Sequence, residues 1–304
     1  MITDDQTNFL YLSKKLKDKR EFFERLKACL VENKVEFQLL PKTKDIWAVD
    51  YMPVQLDDRK FIQFVYAPDY LQNDKFISTQ TATSCVCNAI GLKTIRSNIK
   101  IDGGNVIQGK NWVILTEKIF KENPSLKRKE LISELEYLFE AKPIIIPEEP
   151  NDFTGHADGI VRYYNDETVL FNNYKPKDKK AFQKNLIKVL NDEGLKTIKI
   201  PYNPYQNRNQ DMAHGLYINY LRMKNFILLP IFNMKEDEEA YRLFEKLFNG
   251  QNIETIDARD VSKEGGVLNC ISWNILVNDH SGMRAAQGER SGLHEESPRA
   301  GGRV

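Results

Sequence analysis

Residues 182–201 contain Phe182-Gln183-Lys184-Asn185-Leu186-Ile187-Lys188-Val189-Leu190 and, a few positions later, Thr197-Ile198-Lys199-Ile200-Pro201. Phe182, Leu186, Val189 and Leu190 recur at helical spacing among polar residues, which predicts a helix with one apolar face. The run that follows predicts a short strand, and Pro201, with no N–H to offer a ladder, ends it. The same unit recurs along the chain. Leu16, Phe23, Leu26 and Leu30 mark a helix over 14–33, followed by a strand over 35–40 that stops at Pro41. Leu131, Leu135, Leu138 and Phe139 precede Ile144-Ile145-Ile146 and Pro147, and Ala240, Leu243, Phe244 and Leu247 precede a strand over 253–256. Further strands are expected at 61–67, 112–115, 168–171 and 225–229. The fold class is therefore α/β, built as an imperfect helix-and-strand repeat.

The chain has 304 residues and is 41% hydrophobic, enough for a sizeable core. Forty-four Lys and Arg against 43 Asp and Glu leave a net charge of +1, which makes no electrostatic case for nucleic acid or an anionic membrane as partner. Lysines clustered at 14–20 and 175–180 read as solvated helix faces. The start, Met1-Ile2-Thr3-Asp4-Asp5, lacks the pattern of a signal peptide, and no apolar run approaches the ~20 residues of a membrane span. Four Cys do not make a disulfide framework, so a reducing cytoplasm is the expected compartment. Residues 278–304 are a Gly, Arg, Ser and Glu mixture, expected to be a disordered tail after a single domain over 1–277. That leaves His156 and His214 as the histidines of the folded part.

Chemistry concentrates in four places. Gly155-His156-Ala157-Asp158-Gly159 puts an imidazole and a carboxylate in one Gly-flanked turn; Gly265-Gly266-Val267-Leu268-Asn269-Cys270 ends on a thiol; Asp50 and Asp102 sit in similarly punctuated settings. Carboxylates hold a planar guanidinium through paired N–H···O bonds. A thiolate is soft and strong enough to attack its carbon, and an imidazole can pass protons to the departing ammonia and from the incoming water. On this reading Cys270 is the nucleophile, His156 the acid and base, and Asp50 and Asp158 the guanidinium holders. Each has a plainer alternative. Cys270 could be a small hydrophobe beside a buried strand at Ile271-Ser272-Trp273. His156 and Asp158 could only organise a turn, and Asp50 could only cap a strand end. Asp102-Gly103-Gly104-Asn105 carries a hairpin turn signature. Arg162 could meet a substrate carboxylate or serve as a structural ion-pair partner, and Arg208 is a second candidate for that carboxylate. Cys85-Val86-Cys87 is too isolated for a zinc site, and no nucleotide-binding glycine motif is present.

The chain resembles the guanidino-modifying enzymes, specifically the branch of agmatine deiminases and bacterial peptidylarginine deiminases. The blocks that carry the resemblance are Asp45-Ile46-Trp47-Ala48-Val49-Asp50, Asp102-Gly103-Gly104-Asn105, Gly155-His156-Ala157-Asp158-Gly159, Tyr217-Ile218-Asn219-Tyr220 and Gly265-Gly266 with Cys270. The resemblance implies a pentein fold, an α/β-propeller of five ββαβ-like modules around a central active site. It also implies hydrolysis of a guanidinium to a ureido group and ammonia, with no metal or cofactor, through a covalent amidino intermediate on Cys270. Asp102, where many relatives carry Glu, Trp47 and Asn105 join Arg162 as candidate substrate-binding residues. The implied substrate is a small guanidino compound such as agmatine, or free or peptidyl arginine. Val49 stands where many relatives have Arg, and Asn269 where agmatine deiminases commonly have His. An amidinotransferase and a non-catalytic binding protein, such as the ribosome anti-association factor that shares this fold, are the alternative functions.

Overall fold

The computed structural model describes residues 1–175, 179–204 and 212–278. The expected tail beyond 278, and Arg208, lie outside the described residues. The chain starts with β1 (Phe9–Ser13), α1 (Arg20–Glu32) and β2 (Phe37–Leu40). A one-turn helix, α2 (Ala48–Tyr51), leads to β3 (Val54–Gln55), β4 (Phe61–Val65), α3 (Thr83–Ala89) and β5 (Ile95–Lys100). Next come β6 (Ile107–Gln108), β7 (Trp112–Thr116), α4 (Lys118–Glu122), α5 (Arg128–Phe139) and β8 (Lys142–Ile146). They are followed by β9 (Val161–Asn165), β10 (Thr168–Asn172), α6 (Lys180–Asp192) and β11 (Lys196–Ile200). The last elements are β12 (Leu221–Met223), β13 (Phe226–Ile231), α7 (Glu236–Leu247), β14 (Asn252–Asp257), α8 (Arg259–Ser262) and β15 (Ser272–Ile275).

Among the described residues these strands make five sheets of three. In each, the middle strand runs antiparallel to one neighbour and parallel to the other: β4 with β3 and β5, β7 with β6 and β8, β10 with β9 and β11, β13 with β12 and β14. The first sheet repeats the plan across the chain ends, with β1 parallel to β2 and antiparallel to β15. The antiparallel pair needs only a tight connection, whereas the parallel partner needs a crossover, and a helix supplies it each time.

The crossover helices bury the apolar faces read from the sequence. Phe22, Phe23, Leu26 and Leu30 of α1, Leu131, Leu135 and Phe139 of α5, Phe182, Leu186 and Leu190 of α6, and Ala240 and Phe244 of α7 are all buried. Each large side chain so placed contributes about 1.5–3 kcal/mol. The middle strands β1, β7 and β10 are buried along their whole length, while β11 and β14 are partly exposed, at Lys196 and Lys199 and at Asn252 and Thr255.

Three local expectations are corrected. The helix expected over 14–33 is two elements: Lys14–Asp18 forms a 3-10 turn, in which the Ser13 hydroxyl accepts from the Lys15 amide, and α1 starts only at Arg20. The strand expected over 225–229 runs on through Pro230, because the antiparallel ladder to β12 has ended by Leu228 and only the parallel ladder to β14 continues. Asp102–Asn105 is no hairpin: Gly103–Asn105 is a 3-10 turn between β5 and β6.

Candidate active site

Each connection from one sheet to the next carries a buried polar residue just ahead of the next strand. Asp50 is in α2, ahead of β3. Asp102 and Gly104 belong to the turn ahead of β6, and His156 and Asp158 to a 3-10 turn (Ala157–Gly159) ahead of β9. Asn219 precedes β12, and Cys270 precedes β15. All are buried, and the five connections supply one polar cluster.

Around the imidazole, His156 Nε2 lies 2.9 Å from Asp102 Oδ2, and His156 Nδ1 lies 3.5 Å from Asp50 Oδ1. The Gly104 amide donates to the same Asp50 oxygen at 3.1 Å. Gly104 has to be glycine: a Cβ there would come within 2.6 Å of both Asp50 Oδ1 and His156 Nδ1. Lys118, on α4, reaches Asp102 Oδ2 at 3.2 Å.

Around the sulfur, Asn219 is the organiser. Its Nδ2 donates to Asp158 Oδ2 at 3.0 Å and to Cys270 Sγ at 3.2 Å, while its Oδ1 accepts from the Val267 and Cys270 amides, each at 3.2 Å. Asn269 Nδ2 donates to Asp158 Oδ2 at 2.7 Å, and the Cys270 thiol faces the same oxygen at 3.5 Å. The two halves are joined through the backbone, since the Val49 amide donates to the Cys270 carbonyl at 3.3 Å. Gly266 lets Trp47 close in on this corner: a Cβ on Gly266 would stand 2.5 Å from the indole and 2.9 Å from the Cys270 Cβ.

The charge balance of the site is negative. Burial disfavours the His156 imidazolium, but Asp50 and the hydrogen bond to Asp102 outweigh it and hold the ring's pKa up at about 9. Burial pushes Asp50 up, as do Asp102 and Asp158, against the pull of His156. Asp102 stays below the usual carboxylate range: burial opposes ionisation, but His156 and Lys118 more than offset it. Burial, then the carboxylates of Asp158 and Asp50, drive the Cys270 thiol well above its ordinary value. The sulfur thus sits as a thiol in a pocket that favours a cation.

Of the other candidates, Asn105 holds the scaffold, its Oδ1 accepting from the Thr116 amide at 3.0 Å while its buried Nδ2 has no partner among the described residues. Arg162 is fully buried, ion-paired with Asp4 and donating to the Tyr220 carbonyl at 3.2 Å. Its guanidinium is spent on the scaffold. We expect Arg162→Ala to cost about 2–5 kcal/mol in urea unfolding, mostly from emptying the space of a fully buried side chain, with KM unchanged in whatever protein folds. His214 lies apart, its Nδ1 3.0 Å from Ser262 Oγ. Sequence reasoning assigned no role to Lys118, Asn219 or Gly104. Asn219 lay inside a recognised block; Lys118 carried no signal, because a lysine on a charged helix normally faces water. Among the described residues no group of His, Cys, Asp and Glu is arranged to hold a metal ion, and no helix is long and apolar enough to cross a membrane.

The fold and sequence have known counterparts. Agmatine deiminase from C. jejuni superposes with a TM-score of 0.71 over 91% of this chain and 96% of its own, at 16% identity. DDAH from Pseudomonas aeruginosa, in a variant complexed with citrulline, superposes with a TM-score of 0.54 over 89% of this chain and 100% of its own, at 13% identity. These likenesses establish a mixed α/β fold of small sheets in common with both enzymes. In sequence, a provisionally named agmatine deiminase of Photobacterium profundum is 23% identical over 222 residues, 62% of this chain. The match spans 61% of that relative's length. The family model of Porphyromonas-type peptidyl-arginine deiminases matches residues 2–275. A match of that extent, over a chain whose turns gather a thiol, an imidazole and three aspartates, means that the protein belongs to the Porphyromonas-type peptidyl-arginine deiminase family.

Proposed function

We propose that this protein is a cysteine-dependent deiminase that hydrolyses a small guanidino compound to a ureido product and ammonia. One observation carries the reading. Asp50 and Asp158 each have one oxygen tied down, Asp50 Oδ1 by the Gly104 amide and Asp158 Oδ2 by Asn219 and Asn269, and each has its other oxygen without a protein donor among the described residues. Two free carboxylate oxygens beside a thiol are what a flat, multiply N–H-bearing cation requires. The five sheets, placed about a pseudo-fivefold axis as one catalytic unit over 1–277, would account for five turns meeting at one centre.

The chemistry follows from the charges. The guanidinium bound between Asp50 and Asp158 neutralises the carboxylates that keep Cys270 protonated, so the thiol proton passes to solvent as the cation binds. The thiolate attacks the guanidinium carbon, forming a C–S bond. The His156 imidazolium gives its proton to one nitrogen, which leaves as ammonia, and the carbon remains on sulfur as a cationic amidino thioether. The now neutral imidazole takes a proton from water and the hydroxyl adds to the carbon. The C–S bond then breaks with its electron pair returning to sulfur, the hydroxyl proton passes to that sulfur to restore the thiol, and the neutral ureido product leaves. Asp102 keeps Nε2 engaged throughout, which orients Nδ1 toward the reacting side. A thiol nucleophile of this kind suits a reducing cytoplasm.

Ammonia release from agmatine, arginine and an arginyl peptide, with the ureido product checked by mass, tests the assignment; no release from any of them would sink it. The pH profile of kcat/KM should be bell-shaped with its optimum on the alkaline side of neutrality. It rises as the Asp50–His156 pair gives up its first proton and frees the carboxylate for the cation. It falls as His156 loses the proton it must donate, near about 9. Stability should follow the same sign. His156 holds its proton more tightly folded than unfolded, so its contribution is complete below an unfolded pKa of ~6.5 and is lost as pH rises through about 9. Thermal melts across that range would read it.

A further inference from the structure

Behind the His156–Asp102 pair lies a second buried ion cluster that the reaction as written does not use. The Lys118 ammonium, almost wholly buried, touches Asp102 Oδ2 at 3.2 Å, Asp69 at 3.3 Å and Glu122 Oε1 at 3.4 Å. It also donates to the Thr154 carbonyl at 2.7 Å, two residues before His156, and sits 4.6 Å from the centre of the Tyr70 ring. Glu122 is equally buried, and neither of its oxygens has a hydrogen-bond donor among the described residues; the ion pair to Lys118 is its compensation.

We propose that Lys118 is the positioning residue of the imidazole, holding Asp102 ionised and the His156 loop in place, and that Glu122 is the buried counter-charge through which the strength of that hold is set. The proposal concerns the same site as the deiminase reading and, for its kinetic consequences, rests on it. Three features support it. Lys118 and His156 share one oxygen, Asp102 Oδ2, so the carboxylate is pinned from two sides and cannot turn away when the ring moves a proton. Lys118 grips both partners of the pair, Asp102 through its side chain and His156 through the Thr154 carbonyl. The charged or titratable groups facing His156 are Asp50 from α2, Asp102 from the turn before β6, Lys118 from α4, and Tyr70, whose ring is 6.0 Å away; Lys118 is the cation among them.

The sign of the coupling follows from Coulomb's law. Lys118 lowers the proton affinity of His156, and an anionic Glu122 partly cancels that effect. Burial, then Asp102, push Glu122 up to about 7, so its charge varies over the range in which the enzyme works. When Glu122 takes a proton, the cancellation is lost and His156 gives up its own proton more readily.

The test is an NMR titration of the His156 ring in full-length protein labelled at histidine, assigned with a His156→Gln variant, alongside ammonia-release kinetics. Glu122→Gln is nearly isosteric and should move the His156 titration down by about half a pH unit. Removing both charges together, as Lys118→Met/Glu122→Leu, keeps the cluster from stranding one ion. It should move the titration up by about one pH unit. It should also lower kcat at pH 7 by about tenfold, with KM within about threefold, because the affected group acts in the chemical step. Opposite movements in the two variants are what a merely structural cluster would not produce. If the His156 titration is the same in both variants as in the parent, the proposal is wrong, whatever the activities. If the titrations move as expected but no guanidine compound yields ammonia even with the parent protein, the deiminase reading falls and the assignment of Lys118 stands.

Discussion

Cys270→Ala should abolish turnover, with ammonia release down by about 10⁴-fold or more, while the guanidine compound still binds. The reason is in the division of labour. The groups that would hold the cation, Asp50 and Asp158, take their geometry from Gly104, Asn219 and Asn269, none of which needs the sulfur. Asn219 Oδ1 would still accept from the backbone amides of residues 267 and 270, so the turn should keep its shape. What disappears is the atom proposed to form the covalent bond. Single-turnover assays and calorimetry on the variant separate the two quantities. Residual turnover above a tenth of the parent's would overturn the covalent mechanism.

Gly104→Ala is the second large effect, and it acts without removing any group proposed to react. A methyl at this position would need space now held by Asp50 Oδ1 and His156 Nδ1, each 2.6 Å from where its carbon would lie. Those atoms cannot simply retreat. The His156 ring is pinned at Nε2 by Asp102, and Asp50 accepts the amide of residue 104 itself. A displacement of the order of 1 Å at the acid–base pair costs about a hundredfold in rate. We expect kcat/KM to fall by at least that factor, while the chain remains folded by circular dichroism. Near-parental activity would mean that the pair tolerates displacement and that its geometry is not what limits the reaction.

The periodic parts of this molecule were legible before any coordinates. Helices α5, α6 and α7 and the strands after them lie where apolar spacing put them, because an amphipathic period is a direct imprint of burial. Seven strands, β1, β3, β5, β6, β9, β12 and β15, were not legible as strands, although β15 was weighed as an alternative setting for Cys270. Several are two or three residues long and carry no period; they are strands because a neighbour supplies the ladder. Asp102 shows the limit of turn signatures. Asp-Gly-Gly-Asn allows a hairpin, but here the turn joins one sheet to the next, and it is burial against His156 that selects the 3-10 form. Arg162 illustrates the same point from the side of function. Its charge was equally compatible with a substrate and with a structural partner, and Asp4, 158 positions earlier, occupies it.

What the sequence determined by itself is the α/β repeat and a short set of candidate residues for the chemistry. Both depend on local facts, namely the spacing of apolar side chains and the presence of a thiol, an imidazole and acids in glycine-flanked turns. What only the tertiary structure decided is which of those groups meet and in what state of charge. Asn219 bridging Asp158 to Cys270, Gly104 making room for Asp50 beside His156, and Lys118 buried behind Asp102 all join turns from different sheets. The physical reason is that proton affinity and hydrogen bonding depend on distance in space and on loss of water, and neither is a function of distance along the chain.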